Sequence, residues 1–151
     1  MSNHLKKLTT ALQKDHLKTI GFEKRYETFS RSHPKFSEHF HLSSSPLNRA
    51  GEPWKYELTI GVGFHDIPSK QKGQLAGTHI SHRVATIETT LGGSDETDPA
   101  ILRNETTRLA SIVQERSEHL RNHYDTLRQS YDRGAVDPGF LMISGIDESD
   151  K

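Results

Sequence analysis

From Trp54 to Phe64 the chain alternates without a miss: Trp54, Tyr56, Leu58, Ile60, Val62 and Phe64 against Lys55, Glu57, Thr59, Gly61 and Gly63. Successive side chains of a strand point to opposite faces, so period 2 over this length specifies a strand with one buried and one polar face. Such a strand needs partners on either side and an apolar layer over its inner face. That requirement organises the rest of the sequence.

Candidate partners lie on both sides of it. Between Phe22 and Arg31, the residues Phe22, Lys24, Tyr26 and Thr28 alternate with Glu23, Arg25, Glu27 and Phe29, which predicts one half-exposed strand. His33-Pro34 breaks it, because Pro restricts the residue before it and cannot donate to a ladder. Phe36, Phe40 and Leu42 then share a face opposite Ser37, His39 and His41. Ser43-Ser44-Ser45-Pro46, with Asn48 and Gly51, signals a loop, as does the stretch from Pro68 to Gly77. A further strand is expected near Thr78–Leu91, where apolar parity switches at Val84-Ala85. The switch predicts a bulge or a strand covered on both faces.

Helical spacing brackets these strands. Leu5, Leu8, Leu12 and Ile20 recur on one side of a segment over 5–20, with Lys6, Lys7, Lys14 and Lys18 largely opposite and Gly21 as a left-handed cap. Beyond the polar connector Gly92–Thr97, Asp98-Pro99 is a helix start. From there Leu102, Thr106, Leu109, Val113, Arg116, Leu120, Tyr124, Leu127 and Tyr131 keep a three-to-four spacing, predicting a long helix with room for one break. Phe140–Ile143 is a last apolar run, either an added strand or a tether. The fold class expected is α+β: an antiparallel sheet of about four to five strands, with an N-terminal helix and a long C-terminal helix on one face. Residues 1–151 are read as one domain, with 1–4 and 144–151 as flexible ends.

Composition removes several functions. Apolar residues are 31%, and the 11 Gly do not lift this to the ~45–50% of ordinary domains. Lys+Arg 20 cancels Asp+Glu 20, so there is no standing positive field for nucleic acid or an anionic membrane. No cysteine means no disulfide, thiolate nucleophile or thiolate-held metal. The start, Met1–Lys7, lacks a signal-peptide apolar core, and no run approaches the ~18 apolar residues of a membrane span. A soluble, cytoplasmic protein without cofactor is expected.

Histidine is the over-supplied reactive side chain, with ten copies. His39 and His41 share one strand face, and pairing with the Trp54–Phe64 strand would bring Glu57 to it. Two imidazoles and a carboxylate could supply a metal's ligands, but His-x-His lacks the spacing of a tight ligand motif, and solvated side chains are the plainer reading. Glu115, His119 and His123 follow one helix stripe, yet Leu120 stands where the zincin motif needs Glu. No metal site is assigned. Gly61-Val62-Gly63 lies inside a strand and leaves a bare patch rather than a dinucleotide loop. Gly73–Gly77 is followed by Thr78, not the Lys of a P-loop, and no Gly-x-Ser-x-Gly elbow picks out a nucleophile. No catalytic residue is assigned.

The first 35 residues hold eight Lys or Arg against Asp15, Glu23 and Glu27, with Phe22, Tyr26 and Phe29 interleaved. This could stack bases and hold phosphates, but a solvated basic face over core aromatics is the simpler reading. Nucleic acid is disfavoured.

The order Gly21-Phe22-Glu23-Lys24, Thr28-Phe29-Ser30-Arg31, Leu58-Thr59-Ile60-Gly61-Val62 and His79-Ile80-Ser81-His82-Arg83 resembles a family of uncharacterised bacterial domains over about residues 5–90. The resemblance implies a small intracellular α+β domain of the kind often encoded near toxin–immunity or phage-defence loci. It implies no catalytic residue. The function expected is non-catalytic protein binding, as an immunity-like or inhibitory partner of a toxin or other effector. Contacts are expected from His39, His41, Glu57 and Arg83, or from the acidic tail Asp147, Glu148 and Asp150. The alternatives are a metal site on the polar sheet face and nucleic-acid binding through the basic N-terminal third. Thr106 and Arg116 interrupt the long helix's apolar stripe, which suggests a homodimer through that helix.

Overall fold

The computed structural model describes residues 3–46, 48–49, 54–68, 78–88 and 99–134. Helix α1 (Asn3–Leu12) leads to strands β1 (Glu23–Arg25), β2 (Thr28–Ser32), β3 (Phe36–Ser44), β4 (Lys55–Phe64) and β5 (Ile80–Glu88), and then to helices α2 (Pro99–Asn122) and α3 (Tyr124–Asp132). The strands form one antiparallel sheet in chain order, β1-β2-β3-β4-β5. The α+β architecture expected from the sequence is the one observed. The expected segments Phe140–Ile143, Gly92–Thr97 and Gly73–Gly77 lie outside the described residues, as do Asp147, Glu148 and Asp150.

One apolar cluster joins sheet and helices. Phe29, Phe36, Phe40, Leu42, Tyr56, Leu58, Ile60, Val62, Phe64 and Ile87 from the strands meet Leu5, Leu8 and Leu12 of α1, Leu109, Val113 and Leu120 of α2, and Leu127 of α3. The β4 alternation is read out as the sequence predicts: Tyr56, Leu58, Ile60, Val62 and Phe64 are all at most 2% exposed.

The N-terminal segment departs from the expected stripe. The buried leucines step by three, four and then five residues: Leu5, Leu8, Leu12, Leu17. An α-helix would carry the last off the core face, but Gln13–Leu17 forms a π turn, whose wider i→i+5 spacing returns Leu17 inward. Leu17 is fully buried, while Ile20, the residue expected there, is only partly so. A 3-10 turn (Lys18–Ile20) follows, and Gly21 closes it at φ +97°. Its N–H donates to Lys18 O and that of Phe22 to Leu17 O, the paired bonds of a Schellman cap.

Three further readings are corrected or settled by the backbone. The single strand expected over 22–31 is a hairpin, because the chain turns at Tyr26-Glu27 and pairs Arg25 with Thr28. The parity switch in β5 is a bulge: Leu58 pairs with Ala85 but Thr59 with Arg83, leaving Val84 extra. The long helix breaks once, at His123, between α2 and α3. Tyr124 then stacks on Phe36 with ring centroids 4.5 Å apart, and Tyr131 meets Phe64 at 4.8 Å. Arg128 lies over the Phe64 ring at 4.9 Å and grips Asp66 with two bonds of 2.6 and 3.0 Å.

Thr106 and Arg116 are buried inside the chain, at 1% and 6% exposure. Thr106 satisfies its hydroxyl on Leu102 O at 2.6 Å. Both side chains therefore pack in the interior of their own chain.

Candidate binding face of the sheet

The sheet face turned away from the core carries side chains in cross-strand rows. Thr28, His41, Thr59 and Arg83 form one row, and Ser30, His39, Gly61 and Ser81 the next. Ser32, Ser37 and Gly63 continue it, while Ser43, Glu57 and Thr86 lie on the other side of the first row. The sequence-predicted residues His39, His41, Glu57 and Arg83 are therefore brought onto one face. The period-2 rule suffices for His39, His41 and Glu57, whereas Arg83 joins them because the bulge at Val84 shifts β5 by one residue.

Their chemistry is largely committed. His39 sits between two hydroxyls, with Nδ1 2.7 Å from Ser30 Oγ and Nε2 3.0 Å from Ser37 Oγ. A neutral imidazole has one donor and one acceptor nitrogen, so one serine must donate and the other accept. His41 Nδ1 pairs with Thr28 Oγ1 at 2.8 Å. Its Nε2 makes no hydrogen bond among the described residues. His41 also lines a cleft of about 360 Å³ with Leu5, Glu27, Leu42, Ser43, Ser44 and Trp54. Glu57 accepts from Arg83 Nη1 at 2.8 Å, an ion pair at the exposed end of the face.

Desolvation lowers the pKa of both imidazoles against the weaker opposing pull of Glu38 on His39 and Glu27 on His41. Both are therefore neutral near pH 7. A histidine whose folded pKa lies below its unfolded value leaves stability unchanged at higher pH. As pH falls through the ordinary histidine value near 6.5, the unfolded chain takes up protons first and stability drops. His119 adds the same sign, through burial and then through Arg116 and His123. Asp66, held low by its bonds to Arg128, acts in a separate and more acidic window. Urea midpoints should accordingly fall between pH 7.5 and 5.5, and the fall should shrink in the His39→Gln/His41→Gln variant. A flat or rising profile would contradict this picture.

The other candidates are not assembled in this way. His119 and His123 stack at 4.4 Å, and His123 Nδ1 donates to His119 O at 3.0 Å, so the pair does not converge with Glu115 on a common point. Among the described residues no group of three His, Asp or Glu is arranged to hold a metal ion. His79 stands just before β5, where its Nδ1 accepts the Phe64 N–H at 2.9 Å. A second cleft, of about 460 Å³, lies between the β2–β3 turn and α3 and is lined by Lys35, His65, Asp66, Tyr124 and Arg128 among others. Arg128 there is already committed to Asp66 and Asp132. No described helix is long and apolar enough to cross a membrane.

Two features escaped the sequence reading. Glu38 is fully buried on the core face of β3, between Phe36 and Phe40. Its carboxylate meets His33 Nε2 and lies 3.4 Å from Arg31 Nε. Arg31 covers Phe22 at 4.5 Å and donates to Ile20 O and Ser117 Oγ, each at 2.6 Å. This staple ties the N-terminal cap, two strands and α2 together. Its signal was present in the parity of Phe36-Ser37-Glu38-His39-Phe40, which places Glu38 inside. The second feature is Tyr26, 80% exposed at the hairpin tip. No Gly, Asn or Asp marks that turn, so nothing local announced it.

No family model, curated protein or solved structure matches this chain.

Proposed function

We propose that this chain is a non-catalytic protein-binding domain, an immunity-like or inhibitory partner of another bacterial protein, which docks through the polar face of its sheet. The observation that carries the reading is the state of His39. The side chain best placed to act as acid, base or ligand is bonded at both nitrogens and neutral, so it shapes a surface instead of offering a reactive group. The rows around it are hydroxyls, imidazoles and two glycines, with Glu57 and Arg83 paired to each other, so many of its hydrogen-bonding groups are set before a partner arrives. Preorganisation of this kind reduces the ordering cost of association. A specific interface needs about 800 Å² on each side, within reach of a face built on four strands.

The test is native co-purification from cells that produce the protein, read by mass spectrometry and including products of neighbouring genes. One stoichiometric protein partner is expected. Its recovery should fall about tenfold or more in Thr59→Arg, which places a long cation in the middle of the face. A chain that purifies alone, or a partner indifferent to Thr59→Arg, would defeat the proposal.

A further inference from the structure

The connection between β1 and β2 holds a residue that folding does not ask for. Arg25 pairs with Thr28, so Tyr26 and Glu27 alone make the turn. Tyr26 adopts φ +54° and is the one non-glycine residue with positive φ among those described. Two-residue hairpin turns favour Gly, Asn or Asp at such positions, because a bulky side chain crowds the backbone there. The ring recovers nothing inside the chain, being 80% exposed and the one large apolar side chain left so among the described residues. An unfavourable conformation kept at an exposed aromatic points to a use outside the fold.

The surroundings indicate what kind of partner would use it. Lys24 and Arg25 beside it are exposed, and the π turn packed beside β1 carries exposed Lys14. Along β1, its turn and the π turn packed beside it, Lys14, Lys24 and Arg25 stand against Asp15, Glu23 and Glu27, a balance that lacks the field needed for a phosphate backbone. Phe22 and Phe29, the other aromatics of this segment, are 2% and 0% exposed and offer no stacking platform. Tyrosine and arginine are the residue types that anchor protein interfaces. Glu27 belongs both to the turn and to the cleft that His41 and Trp54 line, so the tip adjoins the polar face.

We infer that the β1–β2 tip is the anchor of the interface: Tyr26 fills an apolar pocket on a partner protein, and Lys24 and Arg25 meet an acidic rim around that pocket. This rests on the protein-binding reading and adds the anchoring residue and the chemistry of the partner's surface.

Photo-crosslinking from single sites in the full chain separates the two ideas. p-Benzoylphenylalanine is placed at position 26, at position 86 on the edge of the polar face, or at position 114, exposed on α2, in cells that produce the protein. The expected result is one protein adduct from position 26, its cross-linked peptide pairing apolar residues with Asp or Glu, and no adduct from position 114. No adduct at 26 with one at 86 overturns the anchor but leaves the protein-binding reading standing. No adduct at either site overturns both. A nuclease-sensitive adduct at 26, a peptide without acidic residues, or equal adducts at 26 and 114 also overturn the anchor. In a second arm, Tyr26→Asn should hold the thermal midpoint or raise it by about 2–4 °C. It should also weaken the adduct formed from position 86 about tenfold. A midpoint lowered by several degrees would make Tyr26 a folding residue and overturn the inference.

Discussion

Arg31→Met should cost about 3–5 kcal/mol of folding free energy, because it strands a carboxylate in the protein interior. Glu38 is fully buried and one of its oxygens, Oε1, already has no hydrogen-bond partner among the described residues. What keeps the charge tolerable is Arg31, 17% exposed, with His33 beside it. Removing the guanidinium also strips the acceptors Ile20 O and Ser117 Oγ of their donor. At about 2–4 °C per kcal/mol for a chain of this size, the thermal midpoint should fall by roughly 10 °C. Replacing both charges, as Arg31→Met/Glu38→Leu, should recover a large part of that loss, since a buried ion pair exchanged for apolar groups is often neutral. Urea melts of both variants provide the check. A single variant within about 1 kcal/mol of wild type, or a double variant no more stable than Arg31→Met, would show that the staple is not a coupled unit.

Phe40→Ala is expected to cost a similar amount, about 3–5 kcal/mol, through lost burial and the cavity left behind. Phe40 is fully buried at the middle of β3, facing Ile60 across the ladder and meeting Phe22 edge-on at 5.8 Å. Neighbouring backbone is held on both sides by strand pairing, so the site cannot collapse to fill the space. The informative comparison is His41→Ala, one residue further along the same strand but on the opposite face. It should cost no more than about 1–2 kcal/mol, since it removes a half-buried ring with one hydrogen bond to Thr28. Equal losses at the two positions would mean that β3 is not one-sided as described.

How legible this protein was depends on the range of the interaction concerned. Period 2 in β4 placed Glu57 and Thr59 opposite the core, and the same rule in β3 put His39 and His41 on one face. Gly21 as a left-handed cap, Pro99 as a helix start and the irregularity at Val84 were also local matters and were readable. Failures came where a distant contact decided. Tyr26-Glu27 has no turn chemistry of its own, and the hairpin exists because Phe29 must pair with Phe40 while Phe22 packs on it from the preceding segment. Leu17 rather than Ile20 is buried because a π turn, which no residue type announces, returns it to the core.

The sequence by itself determined the sidedness of β3 and β4, the α+β class and the gathering of His39, His41 and Glu57 on one face, because each follows from side-chain alternation between neighbours in the chain; Arg83 joins them through the bulge at Val84. Only the tertiary structure decided that His39 is saturated by Ser30 and Ser37, that Glu38, Arg31 and Ser117 form one staple, and that Tyr26 is left outside. Those outcomes depend on strand register and helix docking, which join residues up to 86 positions apart and are set by how the whole core packs.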